Sequence, residues 1–255
     1  MSDRVIKLTV AYDGTDFCGW QRQEGQRTVQ ESIENALARM HGHPVPVVGA
    51  GRTDSGVHAA GQVAHFITDI ASIPADRFEP ALNRLMPPDV RIIRAADAPP
   101  GFHARFDARL RHYKYWLRVG TMQMPHLDRY AWHLWKKPDI RRLNRMASCL
   151  HGELDCGAFA AAGDPSDHHF RYIHYAAFHA EGDALVFEIS ANAFLWRMVR
   201  SIVGTLVELD ADGASETAMK EILESKERSR AGTTAPARGL FLWNVEYRTT
   251  VDGDS

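Results

Sequence analysis

Apolar positions along the chain recur with two periods, and the alternation between them sets out the elements. Ile6, Leu8, Val10 and Tyr12 alternate with polar neighbours, so residues 5–12 are expected as a strand, closed by the Asp13-Gly14 turn. Val29, Ile33, Leu37 and Met40 then share one helical face, opened by Thr28-Val29-Gln30-Glu31, which has the form of a capping box. The run Val45 to Val48 reads as part of a buried strand over 45–50. Gln62 to Thr68 alternates again. Pro74 begins a helix carrying Phe78, Leu82 and Leu85, Pro87-Pro88 stops it, and Val90, Ile92 and Ile93 supply a last strand. The order is β-α-β-β-α-β, the ferredoxin-like pattern.

The second half repeats that order. Residues 110–119 alternate strictly, with Tyr113, Tyr115, Leu117 and Val119 on one face and His112, Lys114, Trp116 and Arg118 on the other. A helix is expected from Asp139 to Leu150, and a hairpin turns around Glu181-Gly182-Asp183. Asn192 is positioned to cap a helix reaching about Leu209. An acidic helix follows, and residues 240–248 form a closing strand. The expected fold class is α+β: two ferredoxin-like β-α-β-β-α-β halves, domains 1–105 and 106–255, with the active-site cleft between them.

Composition changes this picture little, whereas charge distribution changes it more. At 255 residues, 45% hydrophobic and 24% charged, the chain suits a globular protein with a full core. No run of eighteen apolar residues occurs, and Met1 to Arg4 leads straight towards the first strand, so neither a membrane span nor a leader is expected. Three cysteines with no C-x-x-C pair fit reduced thiols in a cytoplasm. The formal net charge is −2, yet residues 101–145 hold eleven Lys/Arg against three Asp, a local +8. Residues 205–227 hold seven acids against two lysines, a local −5. A basic belt on a near-neutral chain is the footprint of nucleic-acid contact; a solvated charged surface is the plain alternative.

The chemistry concentrates in Gly49-Ala50-Gly51-Arg52-Thr53-Asp54-Ser55-Gly56-Val57-His58-Ala59, a glycine-rich loop directly after an expected strand. Asp54 beside Arg52 is favoured in its ionised form and could act as nucleophile, base or ligand. A surface ion pair in a turn is the dull reading. No G-K-[ST] follows the glycines, so the loop is not a nucleotide P-loop. Asp54-Ser55-Gly56 has the D-[ST]-G form of aspartic proteases, but that chemistry needs two such aspartates and no second copy occurs. Cys149, His151 and Cys156 fit no common zinc spacing, and the histidines at 168, 169, 174 and 179 show no tetrahedral pattern. Tyr113 among cations could stack on an extruded base, or simply fill the core.

Together these segments resemble the tRNA pseudouridine synthase A family. The resemblance rests on Tyr12-Asp13-Gly14 with Phe17 to Gln21, Val29-Gln30-Glu31, Gly51 to Ala59, Phe102-His103-Ala104-Arg105-Phe106, Tyr113-Lys114-Tyr115, Asn192 to Leu195 with Met198-Val199-Arg200, and Thr234 to Leu242. It implies the pseudouridine synthase fold and the conversion of uridine to its C-glycoside isomer at positions 38 to 40 of the tRNA anticodon stem-loop. It further implies Asp54 as nucleophile, attacking either ribose C1′ or uracil C6. Tyr113 would pack on the base, Arg52 guide the extruded nucleotide, and Arg200 pair with the carboxylate. Substrate contacts would come from Tyr113, Arg52, His58, Arg105 and Leu240. No cofactor or metal is implied; the partner is tRNA, and a cytoplasmic homodimer is expected. Ser55 where alanine is usual, His112 for a common arginine, and Trp196-Arg197 for a histidine pair depart from the family pattern.

Overall fold

The computed structural model describes residues 4–248. In chain order the elements are β1 (Arg4–Tyr12), α1 (Val29–His41), β2 (Val48–Gly49), β3 (His58–Thr68), α2 (Phe78–Leu85) and β4 (Val90–Asp97). There follow β5 (Ala108–Val119), α3 (Pro125–Asp128), β6 (Trp132–Leu134), α4 (Ile140–Ala147), β7 (Gly152–Asp155), β8 (Phe170–Glu181) and β9 (Ala184–Ala191). The chain continues through α5 (Met198–Ala211), α6 (Ala218–Ser225) and β10 (Leu240–Tyr247). The fold class is thus α+β. The chain divides into two compact units, one running to Arg111 and taking up the chain again from Leu242, the other His112–Phe241.

In the first unit the strand order is β4-β1-β3-β10, with β2 added to β3. β1 lies antiparallel to both β3 and β4, Leu8 opposite Ala64 and Ala95. Leu8, Val10, Phe66, Phe78 and Leu82 are fully or almost fully buried beside the apolar face of α1, Val29, Ile33 and Leu37. The expected strand 45–50 shrinks to two residues. Pro44 and Pro46 lack the N–H donors a ladder needs, so pairing to β3 begins only at Val48.

The capping box at Thr28 does not form. Thr28 has the extended backbone of an N-cap, but its hydroxyl is buried without a hydrogen-bond partner. Of the amides it could accept from, that of Gln30 already donates to the Trp20 carbonyl, and the Val29 amide before it donates to the Gly19 carbonyl. Glu31 instead lies 3.9 Å from Arg22.

In the second unit β5, β9, β8 and β7 follow one another across the sheet and β6 pairs parallel to β5. The β8–β9 hairpin turns through Gly182-Asp183, with Gly182 at φ 57°, as a two-residue turn requires. Asp139 caps α4 through the Arg141 and Arg142 amides. Asn192 does not cap α5, contrary to expectation. Its side-chain oxygen accepts from the Tyr172 and Ala193 amides, pinning the end of β9 to β8, and the helix begins only at Met198.

Candidate active site

The loop carrying Arg52 and Asp54 joins β2 to β3, and its shape is imposed by the segment that follows β1. Thr53 is the anchor: its carbonyl accepts from the Trp20 amide at 3.1 Å and its hydroxyl meets the Tyr12 hydroxyl at 2.8 Å in a buried pair. Both the Ser55 hydroxyl and the Gly56 amide donate to the Phe17 carbonyl, at 3.2 and 3.3 Å. The Val57 amide closes onto the Asp54 carbonyl at 3.2 Å, a turn that places Gly56 at φ 76°. At the base of the loop the Ala50 amide donates to Val63 and the Gln62 side chain donates to the Gly51 carbonyl.

Two glycines make this clamp sterically possible. A Cβ on Gly14 would lie 1.9 Å from the Val57 carbonyl oxygen, and one on Gly19 would lie 2.5 Å from that of Thr53. Only bare backbone can pass there. Asp54 is thereby held on a loop fixed at both ends and remains partly exposed, while Arg52 beside it is exposed. A partly exposed carboxylate on a rigid loop is a group positioned to meet a ligand rather than to fill a core.

His58 and Arg105 belong to the same unit. His58 is completely buried, and its Nδ1 accepts from the Gly14 amide at 3.0 Å with Asp13 at 3.2 Å, so its contacts reach the clamp. Arg105 is exposed, its guanidinium over the Phe106 ring at 5.9 Å. Arg111, counted in the basic belt, is 9% exposed and donates to the carbonyls of Ala50, Arg105 and Ala108, which makes it a scaffold for the loop base.

The second unit holds the other expected residues. Tyr113 on β5 is buried and meets the Phe194 ring edge-on at 5.0 Å, in the turn that Asn192 fixes. Arg200 on α5 exchanges hydrogen bonds with Ala235: its Nε donates to the Ala235 carbonyl at 2.8 Å, and the Ala235 amide donates to the Arg200 carbonyl at 3.1 Å. Gly204, one turn on, admits the Thr233 carbonyl where a Cβ would sit 1.8 Å away. The strand end is fixed too, because the Tyr115 hydroxyl donates to Pro236 and Gly239 passes over the Tyr115 ring. Burial raises the Tyr115 pKa. Leu240, buried, follows directly.

The basic belt is partly spent within this unit. Arg142 donates to the Ala214 carbonyl at 2.6 Å and lies 3.9 Å from Asp210, and Arg145 pairs with Glu216 at 2.5 Å. The acidic stretch that looked separate in sequence therefore lies against part of the basic one. All three cysteines are free, and burial pushes the Cys156 thiol up to about 12. Among the described residues no cluster of three His, Cys, Asp or Glu could hold a metal ion, and no helix is long and apolar enough to cross a membrane.

The sequence pattern missed Tyr12, Thr53, Trp20 and Arg111 as loop supports. The signal was present in the glycines at 14 and 19, each of which marks a close backbone approach.

Comparison with known proteins bears on these residues. A family model described as tRNA pseudouridine synthase matches residues 8–107 and 146–248. The tRNA pseudouridine synthase A of Treponema denticola is 56% identical over 251 residues, covering 96% of this chain and 94% of that protein. Its namesakes in Treponema pallidum and Bacillus pumilus are 46% and 42% identical, covering 90% and 95% of this chain and 84% and 98% of their own.

Proposed function

The chain belongs to the tRNA pseudouridine synthase family, and from that premise we propose that it isomerises uridine to pseudouridine in tRNA, at positions 38, 39 and 40 of the anticodon stem-loop, with Asp54 as nucleophile. The observation that carries the reading is the clamp on the Asp54 loop. Seven hydrogen bonds and two glycine crossings hold one partly exposed residue in place, which a solvated turn does not need.

In this proposal Asp54 attacks the target nucleoside at C1′ or C6, the C1′–N1 bond breaks, and the uracil turns. C5 then bonds to C1′, the bond to Asp54 breaks to restore the free carboxylate, the proton on C5 leaves, and N1 takes up a proton. Nothing is oxidised or reduced, so the residues alone account for the reaction. Tyr113 packs against the extruded base, and its edge-on contact with Phe194 fixes the ring plane. Arg200 pairs with the carboxylate, its direction set by Ala235. Arg52, exposed beside Asp54, guides the nucleotide out of the stem; Arg105 contacts the backbone, Leu240 lines the base pocket, and His58 supports the loop from below. In this reading each unit is a ferredoxin-like half, the chain dividing near residue 105, with Asp54 and Arg52 carried by the first and Tyr113, Arg200 and Leu240 by the second. The working form is a cytoplasmic homodimer that uses no cofactor.

Tritium release from tRNA carrying [5-³H]uridine tests this directly. Wild type should release tritium, whereas Asp54→Asn should release none while still binding the RNA. Binding without release by wild type would leave an RNA-binding protein, not an enzyme.

A further inference from the structure

An open pocket of about 950 Å³ lies on the first unit, and neither Arg52 nor Asp54 lines it. Its floor is the sheet face opposite the Leu8 and Val10 core. Thr9 pairs with Arg94 across β1 and β4, and Lys7 shares the Thr9 face, so Lys7 and Arg94 point into the pocket together. Arg109, at the start of β5, lines it as well.

Two features mark this pocket as a site for an anion. First, its cations are not neutralised from within. Among the described residues Arg94 and Arg109 make no ion pair, and the lining acids are engaged elsewhere: Asp97 accepts from Arg4 at 2.8 Å, and Asp107 accepts from the His103 amide at 2.7 Å. Burial and the neighbouring Arg94 charge lower the Lys7 pKa, the response of a cation that lacks a counter-charge. Secondly, the cations stand beside aromatic rings. The Lys7 ammonium lies 4.0 Å from the Tyr247 ring centroid, and Phe106, which stacks on His103 at 4.2 Å, is still 75% exposed at the rim. Cations beside an exposed ring fit a phosphate with a base stacked next to it. A second copy docking through the same patch would set cations against cations.

We propose that this pocket binds a phosphodiester of the RNA substrate remote from the reacting uridine, with a nucleobase stacked on Phe106. The proposal rests on the tRNA reading above and extends it to a second contact surface.

The test compares wild type with the Arg94→Gln/Arg109→Gln double variant and with Arg94→Lys, using full-length tRNA across a salt series. The double variant should lose about two units from the slope of log K against log salt, and roughly 30-fold in affinity near about 0.15 M salt. At saturating RNA its kcat should match wild type, because only binding common to ground and transition states is removed. Arg94→Lys, which keeps both charges, should retain the wild-type slope. An unchanged affinity and slope in a double variant that still isomerises uridine would overturn the proposal. So would saturable binding of uridine 5′-monophosphate at the pocket with tRNA affinity unaltered, or a change of oligomeric state accompanying the lost affinity. If wild type proves inactive yet the slope falls, the enzyme reading fails and the pocket proposal stands.

Discussion

Gly14→Ala is the most discriminating single change, because it adds one methyl group at the crossing that shapes the Asp54 loop. Gly14 does not occupy the left-handed region, so alanine can adopt its backbone conformation and the effect is purely steric. The new Cβ would begin 1.9 Å from the Val57 carbonyl oxygen and 2.5 Å from its carbon. Reaching even the 3.0 Å that real Cβ contacts essentially never go below requires about 1.1 Å of separation between the two segments. The segment free to yield is the loop, and Val57 is tied through its amide to the Asp54 carbonyl. A misplacement of about 1 Å at a reacting group costs on the order of 100-fold, or about 2.7 kcal/mol of barrier. Tritium-release kinetics should therefore show kcat down about 100-fold in a protein that retains its circular dichroism spectrum. Gly120→Ala, whose Cβ would meet nothing closer than 3.8 Å, is the matched control and should stay near wild type. A folded Gly14→Ala enzyme with kcat within about threefold of wild type would refute the claim that the crossing sets the position of Asp54.

Three further outcomes follow from the same geometry. Gly204→Ala should displace the 233–235 segment and with it the Ala235 carbonyl that orients Arg200, lowering kcat at least about tenfold while α5 stays folded; tritium release with far-ultraviolet circular dichroism checks this. Tyr12→Phe and Thr53→Val should each cost about 1–3 kcal/mol in urea unfolding by orphaning a buried hydroxyl, and the double variant should cost clearly less than the sum; strict additivity would mean the hydroxyls do not share a bond. The hydrogen bond to Asp69 raises the His43 pKa, and the same bond lowers that of Asp69. The histidine's contribution is complete below its ordinary 6.5 and lost as pH rises through its raised value, while the aspartate's is complete above its ordinary 3.8 and lost on acidification. Melting temperatures should thus show His43→Gln destabilised between those two values and equal to wild type at pH about 9.

How far the sequence could be read depended on whether a residue's partner was local. The alternation of β1 and β5 and the face of α1 emerged from spacing alone, because burial on one side of an element is a property of that element. Asn192 misled because an amide oxygen with cap chemistry serves any nearby donor, and the Tyr172 amide, twenty residues earlier, took it. Thr28 misled for the converse reason: the Gln30 amide within its reach was already satisfied from Trp20. Asp54 and Arg52 were legible as candidates because glycine punctuation around a carboxylate is itself a local pattern. The Tyr12–Thr53 bond that fixes them spans 41 positions and has no such signature. Local charge sums likewise took Arg111, Arg142 and Arg145 for surface, although carbonyls and acids distant in sequence had already claimed them.

The segment from Leu242 belongs with residues that precede Arg111, so the second unit is an insertion within the first. During synthesis the inserted unit comes first, whereas the host sheet waits with β3 covered on one side by the two residues of β2 alone until β10 arrives. The Tyr247 hydroxyl bond to the Ala104 carbonyl likewise cannot form until the inserted unit has been made. A ribosome that stops after Phe241 would thus release a chain whose inserted unit is complete but whose Asp54 loop stands on an open sheet edge, a state exposed to aggregation and to proteolysis. Closure of the sheet beside the Asp54 loop therefore waits on the making of the whole inserted unit.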